Sequence, residues 1–122
     1  MCGVENEYRK NKFRERGKKV KLEIKGREKE QKLLAEVPQK DAFYCHDGQV
    51  LRSMKELDDA LFVMTDETYV YHWNSKKKDL SNWVRDIIGD VKLATDLEGA
   101  TSRSLAAWEV ATRISYLARQ LL

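Results

Sequence analysis

Asp79-Leu80-Ser81-Asn82-Trp83-Val84-Arg85-Asp86-Ile87-Ile88-Gly89-Asp90 is the stretch that decides the fold of this chain. Leu80, Trp83, Val84, Ile87 and Ile88 fall at i, i+3, i+4, i+7 and i+8, the spacing of a helix that buries one face. Asp79 stands where a cap accepts the free N–H groups of the first turn. Gly89 stands where a helix ends in the left-handed conformation that only glycine adopts without strain. Asp90 then opens a second short helix that stops at Gly99.

The helical pattern extends in both directions. Toward the C-terminus, Thr101 or Ser102 opens the last and longest helix, with Ala107, Val110, Ala111, Ile114, Leu117, Ala118 and Leu121 as its expected stripe. Toward the N-terminus, Thr65-Asp66-Glu67 starts a helix with two acids in its first turn. There Val70 and Trp73 are three apart, with Tyr69 and Tyr71 beside the stripe. Further back, Ser53-Met54-Lys55-Glu56 is a capping box, followed by the stripe Met54, Leu57, Leu61 and Met64.

Upstream of Ser53 the period changes. Phe43-Tyr44-Cys45-His46, then Asp47-Gly48, then Gln49-Val50-Leu51 reads as a hairpin around an Asp-Gly turn. Residues 27–36 predict a short polar helix anchored by Leu33 and Leu34, and residues 4–16 a charged one ending at Gly17. Val20, Leu22 and Ile24 alternate with charged residues over 18–25, as in a half-buried strand. The expected fold class is therefore α+β, mostly α: four or five short helices with a small two- or three-stranded sheet. Pro38 divides a basic arm, residues 1–40, from a compact helical domain, residues 41–122.

The 122 residues suit one domain. Their 35% charged content exceeds the usual value of about 25%, so the distribution of charge matters more than its sum. Residues 1–40 hold 13 Lys+Arg and 7 Asp+Glu, and residues 41–122 hold 10 and 13, so the net +3 splits into +6 and −3. From Arg9 to Lys29 there are 11 basic and 3 acidic residues, a net of +8. A cationic arm on a mildly acidic body predicts contact with a polyanion. The expected RNA-binding residues are Arg9, Lys10, Lys12, Arg14, Arg16, Lys18, Lys19 and Lys21, with Tyr8 and Phe13 as stacking partners for bases. The competing reading is a solvated face in which Glu15, Glu23, Glu28, Glu30 and Glu36 pair with the cations at i,i+4.

Cys2 and Cys45 are far apart and form no C-x-x-C pair, so neither a zinc site nor a disulfide framework is expected. Cys45 reads as a small buried hydrophobe in a reducing, cytoplasmic setting. Neither a signal-peptide core nor an apolar run of about 18 residues is present, so no membrane partner is expected.

Phe43-Tyr44-Cys45-His46-Asp47-Gly48 and Leu51-Arg52-Ser53-Met54-Lys55-Glu56-Leu57 resemble the opening of an archaeal family of small domains of unknown function. Met64-Thr65-Asp66-Glu67, Tyr71-His72, Asn74, Lys77, Asp79 and Asn82-Trp83-Val84-Arg85-Asp86-Ile87-Ile88-Gly89-Asp90 carry the stronger likeness, and the match spans residues 43–97. The chain departs from the family pattern at Trp73, where Val is usual, at Lys78, where Asn is usual, and at Leu80, where an aromatic is usual. The resemblance implies a small domain of archaeal source and carries over no assigned activity.

Three groupings could carry chemistry. His72 with Asp79, Arg85 and Asp86 offers a histidine beside a carboxylate, the elements of a general base. It lacks a nucleophile in a strained turn and a phosphate loop. The structural alternative has His72 bonding across a loop capped by Asp79, with Asn82 tying that loop down. Cys45, His46 and His72 lack metal-ligand spacing, so no metal and no cofactor are expected. Leu105, Trp108 and Thr112 form a second ridge on the last helix, suited to a protein interface or homodimer. The leading expectation is a non-enzymatic protein whose arm binds ribosomal RNA or a ribosomal subunit, as a dormancy or dimerisation factor would. An adaptor dimerising through the last helix is the alternative, and an enzyme built on His72 follows behind it.

Overall fold

The computed structural model describes residues 27–122. Gln31–Leu122 forms one compact unit. Residues 27–34 are helical (α1), with Arg27, Glu28 and Lys29 exposed. The expected strand over 18–25 and helix over 4–16 lie outside the described residues.

The body contains a two-stranded antiparallel sheet and five further helices. Strand β1 (Phe43–Tyr44) pairs with β2 (Val50–Leu51), Phe43 opposite Leu51 and Tyr44 opposite Val50. The connection is the expected Asp-Gly turn. Gly48 takes φ +96°, and the Gln49 N–H donates to Asp47 Oδ1 at 3.1 Å. The helices are α2 (Met54–Val63), α3 (Asp66–His72), α4 (Asp79–Trp83), α5 (Val91–Glu98) and α6 (Arg103–Gln120). A π-helical turn, Val84–Ile88, continues α4. The fold is thus α+β and mostly helical, with one helix more than the upper expectation.

Caps explain where most helices begin. Ser53, Thr65, Asp90 and Ser102 accept the backbone N–H groups of Glu56, Thr68, Leu93 and Leu105. The capping box at Ser53 is modified. Glu56 reaches back to the Arg52 N–H at 2.7 Å, and Arg52 in turn holds the Val37 carbonyl through its guanidinium at 3.0 Å. That link ties residues 31–37 to the start of α2, with Leu33 buried and Leu34 and Val37 packed on the core.

The core is lined by Met54, Leu57 and Leu61 of α2, Tyr69 of α3, Leu80, Trp83 and Val84 of α4, Leu93 and Leu97 of α5, and Val110 and Leu117 of α6. α6 packs along α2 and α5, and α4 along α5. Ala60, Ala94, Ala100 and Ala106 are buried between these elements, and their small side chains let the helix axes approach closely. Trp83 donates its indole N–H to the Asp41 carbonyl at 2.8 Å. Arg103, in the first turn of α6, donates to the Leu61 carbonyl at 2.8 Å and so satisfies a free carbonyl at the end of α2.

Four expectations are corrected. Ile87 does not join the buried stripe and is 38% exposed. The π turn holds more residues per turn than an α-helix, so the phase slips and Ile88 alone stays buried. Its closing bonds run from the Gly89 and Asp90 N–H groups to the Val84 carbonyl, and Gly89 sits at φ +93°. In α3 Tyr69 is buried while Val70 is 57% exposed, so the face is rotated from the Val70/Trp73 pair. In α6 the buried line is Ala106, Val110 and Leu117, while Ala111 and Ala118 face outward. Asp79 is the first residue of α4 and makes no cap bond, because its carboxylate is turned to His72.

Among the described residues Asp90 is the most deeply placed charge, 2% exposed. Oδ1 accepts the Leu93 N–H at 3.1 Å, and Arg113 of α6 donates to Oδ2 at 2.7 Å and Oδ1 at 3.1 Å. Removing one partner of a buried pair strands the other, so Asp90→Ala is expected to lower unfolding free energy by about 3–5 kcal/mol in urea melts. Ser81 presents the opposite case. Its buried hydroxyl has no hydrogen-bond partner among the described residues. Ser81→Ala removes that desolvated group, and its urea midpoint is expected to rise, by about 1 kcal/mol of stability.

No helix among the described residues is long and apolar enough to cross a membrane.

Candidate functional site

His72 closes α3 and is 4% exposed. Its Nε2 accepts the backbone N–H of His46 at 2.9 Å, which requires a lone pair on that nitrogen. The proton therefore sits on Nδ1, which faces Asp79 Oδ2 at 3.0 Å. Phe43 packs against the imidazole edge with ring centroids 5.0 Å apart. His72 thus joins three pieces: the hairpin turn, the end of α3 and the start of α4. Asp79 orients it as a carboxylate orients a catalytic histidine, but the nitrogen that would take a substrate proton is occupied by the chain's own backbone.

The loop between α3 and α4 is tied by Asn74 and not by Asn82. Asn74 Oδ1 accepts the N–H groups of Lys76 and Lys77 at 2.9 and 3.2 Å, and its amide donates to the Val70 carbonyl at 2.9 Å. Asn82 only accepts from half-buried Arg85, whose guanidinium also pairs with Glu98. Two lysines of the loop lie over aromatic rings: Lys77 Nζ is 3.8 Å from the Tyr71 centroid and Lys78 Nζ is 4.4 Å from the Trp73 centroid. Trp73 and Lys78 also form an isolated antiparallel bridge. Trp73 and Lys78 are therefore direct neighbours.

Outside this cluster, His46 stacks on Tyr71 with centroids 3.9 Å apart. The two rings form one wall of an open surface cleft of about 550 Å³, also lined by Asp66, Glu67, Thr68 and Val70. His72 does not line it. The spacing of the sequence did not signal the His46–Tyr71 stack, because the two residues come from different elements and meet only when the hairpin docks on α3.

Cys45 is buried, and loss of solvation, reinforced by the Asp47 charge, pushes its thiol up to about 11. Such a thiol is protonated near neutral pH and is a poor nucleophile. Asp47 moves the other way: the hydrogen bond from the Gln49 side chain holds its carboxyl below the usual range. Burial also pushes the Tyr69 phenol up to about 12, and its hydroxyl donates to the Ala100 carbonyl at 2.5 Å. Among the described residues no three His, Cys, Asp or Glu side chains converge as a metal site would require.

Leu105, Trp108 and Thr112 all face outward on α6, with Leu105 37% and Trp108 60% exposed. Tyr116, 46% exposed, continues the same face. Tyr8, Arg9, Lys10, Lys12, Phe13, Arg14, Arg16, Lys18, Lys19 and Lys21 lie outside the described residues. Sequence reasoning passed over Arg113, although the signal was there: a cation three residues after Val110, on the buried side of the helix, calls for an interior carboxylate.

No protein-family model, no curated protein and no solved structure matches the chain.

His72→Phe keeps an aromatic ring in the core but leaves the His46 N–H and the Asp79 carboxylate without their partner. The expected loss is about 2–4 kcal/mol, measured by urea unfolding. An unchanged midpoint would show that the three-way link contributes nothing to stability.

Proposed function

We propose that the chain is a non-enzymatic RNA-binding protein that acts in the cytoplasm and grips ribosomal RNA through its basic segment, as a ribosome-associated dormancy or dimerisation factor would. The observation that carries this reading is the charge segregation: a net of +8 between Arg9 and Lys29 against −3 over residues 41–122. Phosphate contact from Arg and Lys supplies affinity without needing sequence readout, and counterions released from the nucleic acid make that affinity salt-dependent. Tyr8 and Phe13 lie among the cations, where aromatic rings stack on unpaired bases.

The non-enzymatic side of the reading draws support from the body. His72 spends both ring nitrogens on internal partners, and the Cys45 thiol is held protonated. Asp79, Gly89 and Asp90, which carry the resemblance to the archaeal small domains, have structural tasks. On this reading the body is a scaffold, and the segment before it confers the specific activity.

Binding of the full chain to purified ribosomal subunits tests the proposal. The affinity is expected to fall by more than tenfold between about 50 and 200 mM salt, each phosphate contact adding about 0.7–0.9 to the log–log slope. Arg14→Glu with Lys18→Glu is expected to flatten that slope by about two contacts. A salt-independent affinity, or no binding at low salt, would contradict the reading.

A further inference from the structure

The outward face of α6 is arranged symmetrically about Thr112. Trp108 and Tyr116 are each four residues from it, and Leu105 and Arg119 are each seven away. At 3.6 residues per turn these five positions fall within an arc of about 80°. Leu105, Trp108, Thr112, Tyr116 and Arg119 are all exposed, so the arc forms one continuous ridge along the helix.

A twofold axis through Thr112 would set this ridge against its own sequence in reverse, Trp108 level with Tyr116 and Leu105 level with Arg119. We propose that the ridge is the docking surface for a second copy of this chain, the two α6 helices lying antiparallel with the twofold axis at Thr112. Trp108 sits about 6 Å along the helix from that axis, and so does Tyr116 on the other side. The axis therefore brings Trp108 of one copy level with Tyr116 of the other. On the facing helix Thr112, Ser115, Tyr116 and Arg119 stand at i, i+3, i+4 and i+7, the four corners of a hole that receives a knob. Two corners, Thr112 and Ser115, are small, which leaves room for an indole. The contact occurs twice, once for each copy, as a closed twofold interface requires.

The charges on the ridge permit this pairing. The cation on its centre line is Arg119, which would lie level with Leu105 of the other copy. There its aliphatic stem covers the leucine while its head remains in water. The two Arg119 residues are then about 21 Å apart along the helices, twice the Debye length of about 10 Å at 0.1 M salt. Arg113, whose guanidinium lies 5.4 Å from the Tyr116 centroid, is already neutralised by Asp90. A single helix–helix seam lies at the low end of stable interface areas, so the association is concentration-dependent, with Trp108 and Tyr116 as the anchoring pair.

This inference does not rest on the RNA reading. The nuclease-treated full chain at about 0.5 M salt, where phosphate bridging is suppressed, is followed by sedimentation equilibrium from about 10 µM to 1 mM, the range suited to a small interface. The mass is expected to rise from 14.3 kDa toward twice that value. Trp108→Ala and Thr112→Glu, the latter opposing two carboxylates at the axis, are each expected to raise the dissociation constant at least tenfold. Both positions are exposed, so both variants are expected to fold, which circular dichroism checks. Phe62→Ser removes an exposed aromatic from α2 and is expected to leave the association unchanged. A constant monomer mass overturns the proposal and leaves the ridge to a different partner. A dimer indifferent to both α6 variants, or lost equally in Phe62→Ser, overturns it as well.

Discussion

A carboxylate buried at the junction of two helices sets the geometry of the body. Asp90 follows the π turn that ends α4, caps the first turn of α5 and receives a two-pronged bond from Arg113 of α6. A charge so deep is costly unless every oxygen has a partner, and here both do. The pair is weak evidence of net stability, since a well-packed apolar substitute can do as well. It does constrain orientation: the bidentate geometry fixes α6 in rotation and along its axis against the start of α5. Gly89 makes this possible. The left-handed turn at φ +93° redirects the chain within one residue so that Asp90 points inward.

His72 does for the other end of the body what Asp90 does for α5 and α6. The hairpin has only two residues in each strand, too few to hold itself in place. The bond from the His46 N–H to His72 and the bond from Trp83 to the Asp41 carbonyl fasten that small sheet to the helices. The result is a body in which both ring nitrogens of His72 are already engaged.

Much of the body was legible in the sequence because its punctuation is local. Ser53, Thr65, Asp90 and Ser102 cap helices, and Asp47-Gly48 turns the hairpin, through bonds spanning two or three residues. The misplaced faces have non-local causes. A π turn cannot be distinguished from an α turn by apolar spacing, so Ile87 was assigned to the core. On α6 the half-buried Arg113 occupies part of the inner face, and the apolar line runs away from Ala111 and Ala118. Asp79 has the composition of a cap but spends its carboxylate on a histidine seven residues earlier. Of the site, the His72–Asp79 pair was readable from proximity in sequence, whereas the His46 N–H that blocks the ring comes from another element.

The claim that Asp90 and Arg113 act as one unit is tested most directly by a double-mutant cycle. Unfolding free energies of the parent, Asp90→Ala, Arg113→Ala and the double variant are compared in urea. The account predicts strong non-additivity, with a coupling of about 2 kcal/mol or more, as expected of groups that share a buried bond. Additive losses within about 0.5 kcal/mol would show that the two side chains stabilise the fold independently, and the buried carboxylate would lose its place at the centre of the structure.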